Sequence, residues 1–364
     1  MIFAGFWVFF IGIFVFVFGY AAKKAAKYAA DQNRAQKDIA LAASTDPVWA
    51  KLIDSAKQVF IQFQKDWQNF DLTSMRTYMT KPYFEHVSLM MTALRNLGRT
   101  NTMTDVKIFS AQVDAVTDKA GVDTDTAAVS FTATAEDRLV RTEGGEILTR
   151  SNEIFSETWK FTRSANKWKL DGIKQATEQP GSLVSQLRDF AASHNLYFSP
   201  DWGRLLLPQR GQLFGGASFE QSDINNHCIG LHNKILIEIY TYVPNVLSTS
   251  TNYTIAQATL PKSYGNIIVR KKQGGLFNRV KGLQKISMEW EDFNKRYEVF
   301  ASDEEQVTSF ELLHPVFMEK LFALPFSVNI EAVDNVVYLY TNDSDVQYEQ
   351  MLSVLNDAFK ELKL

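Results

Sequence analysis

The first twenty residues of the chain, MIFAGFWVFFIGIFVFVFGY, contain no charged side chain. An α-helix rises about 1.5 Å per residue, so a run of this length spans roughly 30 Å, the thickness of a bilayer's hydrocarbon core. A secretory signal would carry basic residues before a shorter apolar core, and none precedes this run. Gly19 and Ala21 would fit a cleavage site, so removal as a signal is the alternative. The run predicts a transmembrane helix over residues 1–20.

The segment that follows, residues 21–45, is basic and rich in alanine, lysine and glutamine, which favour helix. It predicts a helical stalk, with Lys23, Lys24 and Lys27 at the membrane surface. Because basic flanks stay on the cytoplasmic side, we expect a single-pass protein of the bacterial inner membrane with its N terminus outside and its soluble domains in the cytoplasm. The alternative is the mitochondrial inner membrane with the domains in the matrix.

Three glycines of the predicted span, Gly5, Gly12 and Gly19, recur every seven residues and therefore share one helix face. Small residues let two helices approach closely, which makes a homo-oligomer through this helix one expectation. Glycine is also common in transmembrane helices without any such role, and that alternative stays open.

The composition and motifs argue against several functions. The formal net charge is −3, so nucleic acid is not an expected partner. A single cysteine, Cys228, excludes an internal disulfide and agrees with a reducing compartment. The chain has no Walker loop, no G-x-G-x-x-G and no H-E-x-x-H motif. His227, Cys228 and His232 have no second cluster to complete a zinc site, and alternation would point His227 and Cys228 to opposite faces of a strand. We expect no metal and no cofactor.

Residues 46–178 change from helical to strand periodicity. Apolar residues recur in steps of three and four as far as Trp67. A second helical stretch, from about residue 73 to 97, contains Pro82, which is expected to split it. Alternating strand patterns follow, with Gly144 and Gly145 at a hairpin turn. Helices followed by an antiparallel sheet predict an α+β domain.

Two stretches of this segment resemble the Tim44-like domain family of the cone-shaped nuclear-transport-factor-2-like (NTF2-like) superfamily. The first is WQNFDLTSMRTYMT, with matching residues Trp67, Asp71, Leu72, Met75, Arg76, Tyr78 and Thr80. The second is the ending WKFTRSANKWKLDGI, from Trp159 to Ile173. The resemblance implies an NTF2-like cone and a membrane-peripheral adaptor. The long N-terminal region with which the mitochondrial relative recruits a chaperone has no counterpart here, so we do not expect chaperone recruitment.

A cone of this kind directs six aromatic side chains inward: Phe60, Phe63, Trp67, Phe131, Trp159 and Phe161. These residues either line a cavity for an acyl chain or a partner segment, or fill the core completely. Enzymes of the superfamily use an acid or histidine in the cavity, and Asp114 and Asp171 are the nearby acids. Both fit turns or strand ends better, so we expect no catalytic residues.

The second half begins with residues 179–199, which read as a linker because Pro180 and Gly181 break the preceding strand. Residues 200–364 then predict a second α+β domain, in which KILIEIYTYV alternates as a strand and VNIEAVDNVVYLYT forms a hairpin about Asp334 and Asn335. Part of it loosely resembles an uncharacterised domain of bacterial membrane-anchored proteins, although Gln306 and Val307 depart from that pattern. The matching residues are Phe293, Asn294, Tyr297, Val299, Asp303, Glu304, Leu312, Leu313 and Pro315. This resemblance implies no function, because the activity of that family is not established.

A basic stretch in the second half, RKKQGGLFNRVKGLQK, contains no acidic residue. Basic residues around an apolar hairpin tip suit contact with an anionic membrane surface. The residues concerned are Arg270, Lys271, Lys272, Leu276, Phe277, Arg279 and Lys281. The alternative is a solvated hairpin whose apolar tip packs on its own domain.

The sequence therefore predicts a membrane-anchored, non-catalytic scaffold or adaptor that binds the lipid bilayer and membrane-protein partners. A role in protein translocation or in the cell envelope would suit such a protein. The alternative is a lipid-binding module that holds an acyl chain in the cavity of the first domain.

Overall fold

The computed structural model describes residues 26–27, 29–118, 125–175, 182–203, 205–206, 223–232, 234–243, 252–272, 280–302, 311–342 and 348–361. The chain divides into two compact units. Unit 1 comprises Met1–Phe84, Met103–Asp137 and Ser151–Ala176, and unit 2 comprises Glu85–Thr102, Arg138–Arg150 and Thr177–Leu364. Unit 2 therefore includes two segments that precede residue 151.

Helices come first in the described part of the chain. They are α1 (residues 29–45), α2 (Pro47–Ala50), α3 (Leu52–Asn69), α4 (Leu72–Tyr78) and α5 (Lys81–Asn96). The Asp46 carboxylate accepts a hydrogen bond from the Val48 N–H at 2.9 Å and so caps α2. The predicted break in the second helical stretch is confirmed, but it falls at residues 79–80. Pro82 lies in the first turn of α5, where a helix tolerates a missing N–H.

A first sheet follows these helices. Its strands are β1 (Arg99–Thr117), β2 (Thr126–Arg141), β3 (Ile147–Ser151), β4 (Ile154–Ser164) and β5 (Lys167–Gln175), in the order β1–β2–β4–β5 with β3 beside β2. The predicted hairpin is confirmed, since Gly144 and Gly145 both have positive φ between β2 and β3. Val129 and Phe131 are buried on one side of β2, the inner face. Ser130 lies on the opposite side, the outer face.

Helix α1 is the described part of the predicted stalk. Its Ala35 and Ala42 are buried, and the Gln32 Nε2 donates a hydrogen bond to the Asp114 Oδ1 of β1 at 3.1 Å. The Asp114 carboxylate also accepts a hydrogen bond from Ser130 on the outer face. Helix α1 therefore contacts the outer face of the first sheet.

A second sheet lies in unit 2, which confirms a second α+β region. In the described ranges its strands are β6 (Tyr197–Gly203), β7 (Asp223–His232), β8 (Ile235–Val243), β9 (Tyr253–Thr259), β10 (Asn266–Lys271), β11 (Gln284–Ile286), β12 (Tyr297–Ala301), β13 (Asn329–Val333) and β14 (Val336–Thr341). All neighbours pair antiparallel, in the order β11–β12–β10–β13–β14–β9–β8–β7–β6. The hairpin predicted between β13 and β14 is confirmed, and Asp334 takes a φ of 55° there.

Helices cover one face of this second sheet. They include α6 (Ser182–Ser193), α7 (Glu291–Arg296), α8 (Pro315–Ala323) and α9 (Tyr348–Glu361). The alternation predicted for β8 is confirmed, because Ile237 and Ile239 join Phe317 and Leu355 in one apolar core. The neighbouring Glu238 is buried on the opposite face.

The segment predicted as a linker, residues 179–199, contains α6 and the start of β6. Leu187 and Phe190 of α6 belong to the apolar core of unit 2. This segment therefore contributes to the core of unit 2, which its proline and glycine do not indicate.

No helix among the described residues is long and apolar enough to cross a membrane. The predicted span over residues 1–20, with Gly5, Gly12 and Gly19, lies outside the described residues.

Candidate binding site on the inner face of the first sheet

The six aromatic residues predicted to point inward are all buried in unit 1. Phe60, Phe63 and Trp67 come from α3, which presents one apolar stripe to the sheet. Phe131 lies on β2, and Trp159 and Phe161 lie on β4, at alternating positions of the inner face. Helix periodicity and strand alternation thus direct both sets of side chains to the same place.

Most of these rings contact one another. The centroid of Phe60 lies 4.6 Å from that of Phe131 and 4.9 Å from that of Trp159. The centroid of Phe63 lies 5.3 Å from that of Trp159 and 5.7 Å from that of Trp67. These separations are typical of packed aromatic pairs. The rings form a core, and the prediction that they also line a ligand cavity stays a prediction.

Burial falls off along the inner face of β4. Phe161 and Trp159 are fully buried, Glu157 and Phe155 are half-buried, and Glu153 is exposed. We name the half-buried pair, Phe155 and Glu157, the β4 rim. The aromatic core therefore reaches solvent through these two side chains.

The rim lies beside the last described residue of β5. The register pairs Glu157 of β4 with Gln175, the last residue of β5. Phe155 lies beyond that point, so among the described strands it has a partner only on the β2 side, where it pairs with Ala133. From the other layer, the ring of Phe60 lies 6.5 Å from that of Phe155. At the rim, β4 therefore extends past the last described residue of β5, beside the aromatic core. We call this offset between the two strands the step in the sheet.

Glu157 is the ionisable group of the rim. Its Oε2 accepts a hydrogen bond from the Trp159 Nε1–H at 2.9 Å. Burial raises the pKa of Glu157 to about 7, the Trp159 hydrogen bond lowers the pKa and the negative charge of Asp137 raises it. The carboxyl is therefore close to half-protonated at neutral pH.

The family motif residues hold the helices on this sheet. The Asp71 carboxylate caps α4 by accepting a hydrogen bond from the Ser74 N–H at 2.9 Å. The Thr80 hydroxyl donates to the Asp171 Oδ1 at 2.8 Å, which joins the first motif to the second. The Lys160 Nζ lies 2.7 Å from the other oxygen of Asp171. Asp171 thus takes part in fixed structural contacts.

The acids considered for catalysis, Asp114 and Asp171, and the cluster of His227 and Cys228 take part in structural contacts. Asp114 binds Gln32 and Ser130, as described for α1. Cys228 faces the apolar core of unit 2, whereas the His227 Nε2 lies 2.9 Å from the Glu238 Oε2 on the other face. Within the described ranges, no three His, Cys, Asp or Glu side chains are placed to hold a metal ion.

The buried His227–Glu238 pair belongs to a polar layer in unit 2. The Gln257 Nε2 donates to the Glu238 Oε1 at 2.9 Å, and the Tyr240 hydroxyl donates to the Gln257 Oε1 at 2.8 Å. His86 of α5 stacks on the Tyr197 ring with centroids 5.3 Å apart. Burial lowers the pKa of His86 to about 3, and the nearby His227 also lowers it.

The structure describes only some of the residues predicted to contact the membrane. Lys23, Lys24, Leu276, Phe277 and Arg279 lie outside the described residues, and Lys27, Lys271, Lys272 and Lys281 are exposed. The Arg270 side chain is only 20% exposed, with its Nε 3.4 Å from the Glu298 Oε2. The Lys285 Nζ lies 2.8 Å from the Glu298 Oε1. Membrane contact by these residues stays a prediction.

Phe155 and Glu157 were not among the predicted site residues. The signal that could have found them is a glutamate at an inward position of the run FSETWKF, between Phe155 and Trp159. A charge on the apolar side of an alternating strand indicates either a strand end or a function.

The fold and the site define an α+β domain whose helices cover the buried aromatic face of a sheet. Residues 49–175 match the family model described as the Tim44-like domain, which confirms the resemblance for this part of the chain. Tim44-like domains are in general binding domains rather than enzymes. Residues 253–359 match a family described as a protein of unknown function (DUF3137).

Three solved structures are similar to parts of the chain. The mycobacterial trehalose monomycolate transport factor A, TtfA, is 10% identical with a TM-score of 0.38, covering 50% of this chain and 97% of that one. The intermembrane space region of the chloroplast protein ARC6 is 12% identical with a TM-score of 0.24, covering 34% of this chain and 97% of that one. An Ntf2 like protein involved in plasmid conjugation is 8% identical with a TM-score of 0.19, covering 54% of this chain and 82% of that one. No match is found among curated proteins.

Proposed function

We propose that this protein is a membrane-anchored, non-catalytic adaptor whose Tim44-like domain binds a segment of a membrane-protein partner at the β4 rim. The observation that carries the proposal is the step in the first sheet, where Phe155 and Glu157 bring the inner face to solvent. An apolar surface of this kind, with one convergent polar group, suits a binding site.

Two further observations support a binding role over catalysis. The two acids that the sequence offered for catalysis, Asp114 and Asp171, are held by fixed neighbours: Gln32 and Ser130 for the first, Thr80 and Lys160 for the second. A general acid or base needs a free path to substrate, which such contacts oppose.

Membrane attachment rests on the sequence. Residues 1–20 are uncharged and long enough for one span. The basic residues after them favour a cytoplasmic or matrix position for the adaptor. A partner in the same membrane would then lie within reach of the domain.

In-cell photocrosslinking tests this function. The full-length chain would carry p-benzoylphenylalanine in place of Phe155, at the half-buried rim. The matched control carries it in place of Ser156, the next residue, which points to the outer face. We expect a defined membrane protein to crosslink at 155 and not at 156, as read by mass spectrometry.

Other outcomes of the same experiment would contradict the adaptor function. Crosslinks to lipid alone at position 155 would favour the lipid-binding alternative. Equal protein crosslinks at both positions would mean that the rim is not the binding site. The membrane fraction would be checked for both variants, so that a loss of attachment is not mistaken for a loss of binding.

A further inference from the structure

We propose that Glu157 makes binding at the β4 rim proton-dependent, and that the rim admits an uncharged, apolar partner segment. This inference rests on the adaptor function and specifies its partner. It assigns to Glu157 a role distinct from the packing role of its aromatic neighbours.

The position of Glu157 is the first argument. It lies on the inner face between Phe155 and Trp159, and its cross-strand partner on β2 is the fully buried Phe131. One carboxyl oxygen accepts the Trp159 indole hydrogen bond at 2.9 Å. The other oxygen has no hydrogen bond to any described residue, so it is available to an occupant of the rim.

The charges around Glu157 are the second argument. Asp137 of β2 acts on the carboxyl with a charge of the same sign. Gln175, opposite on β5, is neutral, and Phe60, which covers the rim from α3, is apolar. Among the described residues no lysine or arginine forms an ion pair with Glu157. No described residue therefore compensates the ionised carboxylate, which agrees with a pKa raised to about 7.

An apolar occupant would remove water from this carboxyl. Because an uncompensated charge is disfavoured away from water, covering the rim raises the pKa of Glu157 further, and binding takes up a proton. Affinity then falls about tenfold for each pH unit above the pKa of the free protein. The neutral carboxyl keeps its Trp159 hydrogen bond and has an O–H to donate to a backbone carbonyl of the occupant.

A basic occupant would behave in the opposite way. A lysine or arginine paired with Glu157 would lower its pKa, so binding would release a proton and strengthen as the pH rises. Such a pair would also have to lose its hydration beside Phe155 and Trp159, which is costly for both ions. The direction of the pH dependence therefore distinguishes the two classes of partner.

The test uses the full-length chain with p-benzoylphenylalanine at position 155, in permeabilised native membranes held at pH 6.0, 7.0 and 8.5. We expect the crosslink to the protein partner at pH 6.0 to exceed that at pH 8.5 by about thirtyfold, because pH 8.5 lies well above the Glu157 pKa of about 7. Glu157→Gln, which keeps the shape and the hydrogen-bond acceptor for Trp159, should give a yield that does not change with pH. Glu153→Gln, which removes an exposed carboxyl of the same segment, should keep the wild-type profile.

Each other result has a distinct meaning. A pH profile that survives in Glu157→Gln would overturn the role of Glu157, while a yield that rises with pH would overturn the uncharged partner. Crosslinks that are present but flat in the wild type would refute this inference and leave the adaptor function standing. The absence of a protein crosslink at every pH would refute both this inference and the adaptor function. Tryptophan fluorescence of each variant would show that the aromatic core remains folded.

Discussion

At the scale of the residue, two ionisable groups have strongly shifted pKa values in opposite senses, because the fold removes water from the half-buried Glu157 and from the buried His86. Glu157 is raised to about 7 and stands at an opening, so its protonation can respond to a partner. His86 is lowered to about 3 and lies inside unit 2, where its Nε2 is 3.3 Å from the Ser199 hydroxyl. The same loss of hydration thus underlies the proposed proton-dependent binding at Glu157 and an expected acid sensitivity of stability at His86.

His86 should make unit 2 sensitive to acid. Its folded pKa of about 3 lies below the usual histidine pKa of 6.5, so its contribution to stability is fully present above pH 6.5 and is lost as the pH falls. Between pH 7.5 and 5.5 we expect the free energy of unfolding to drop by about 1.4 kcal/mol. Urea unfolding followed by fluorescence would measure this drop.

The matched variants isolate the effect. His86→Gln fills a similar volume but does not titrate, so this part of the pH dependence should disappear. His232→Gln, at the half-buried end of β7, should leave it unchanged. An identical slope in the wild type and in His86→Gln would show that other groups cause the acid sensitivity.

At the scale of the element, a buried ion cluster joins the start of α2 to the end of β4. The Arg163 Nη1 lies 2.5 Å from the Asp46 Oδ2 and 3.2 Å from the Asp125 Oδ2. Arg163 and Asp125 are both buried. The hydrogen bond from the Val48 N–H, and then Arg163, lower the pKa of Asp46. This cluster fixes the point where the stalk helix meets the domain.

Removal of the cation should strongly destabilise unit 1. Arg163→Met would remove the cation that pairs with the buried Asp125 carboxylate, and we expect a loss of about 3 kcal/mol in unfolding free energy. Lys160→Met is the control on the same strand, because its ion pair with Asp171 is solvent-exposed and contributes at most about 1 kcal/mol. Equal losses in thermal or urea unfolding would contradict the importance assigned to the buried cluster.

At the scale of the whole molecule, the proposed membrane attachment and orientation would determine which partners the proposed adaptor meets. An exposed residue of the stalk reports on both. A Lys37→Cys variant in a Cys228→Ala background carries one thiol, at the exposed position 37. The replaced Cys228 is buried. In intact cells we expect a membrane-impermeant maleimide to label position 37 only after the cytoplasmic membrane is opened.

The control for this prediction deletes residues 2–20 from the same variant. That protein should leave the membrane fraction on alkaline carbonate extraction, whereas the full-length protein should remain. Labelling of Lys37→Cys in intact cells would reverse the proposed orientation, and carbonate release of the full-length chain would refute the anchor.

The sequence alone determined the features that depend on neighbours along the chain. The period of apolar residues defined α3 and the two faces of β8, and glycine or aspartate turns defined the hairpins after β2 and β13. The six inward aromatics followed from the same periods. Such patterns are local because a helix or strand fixes the direction of each side chain by its own geometry.

Only the tertiary structure decided which of these faces are covered. It assigned residues 85–102 to unit 2 and gave α6 a buried position within a segment expected to be a linker. It also showed that burial falls between Trp159 and Glu157, which separates the closed core from the accessible rim. The reason is that burial depends on residues distant in sequence, and a pattern along one strand does not reveal where its neighbour ends.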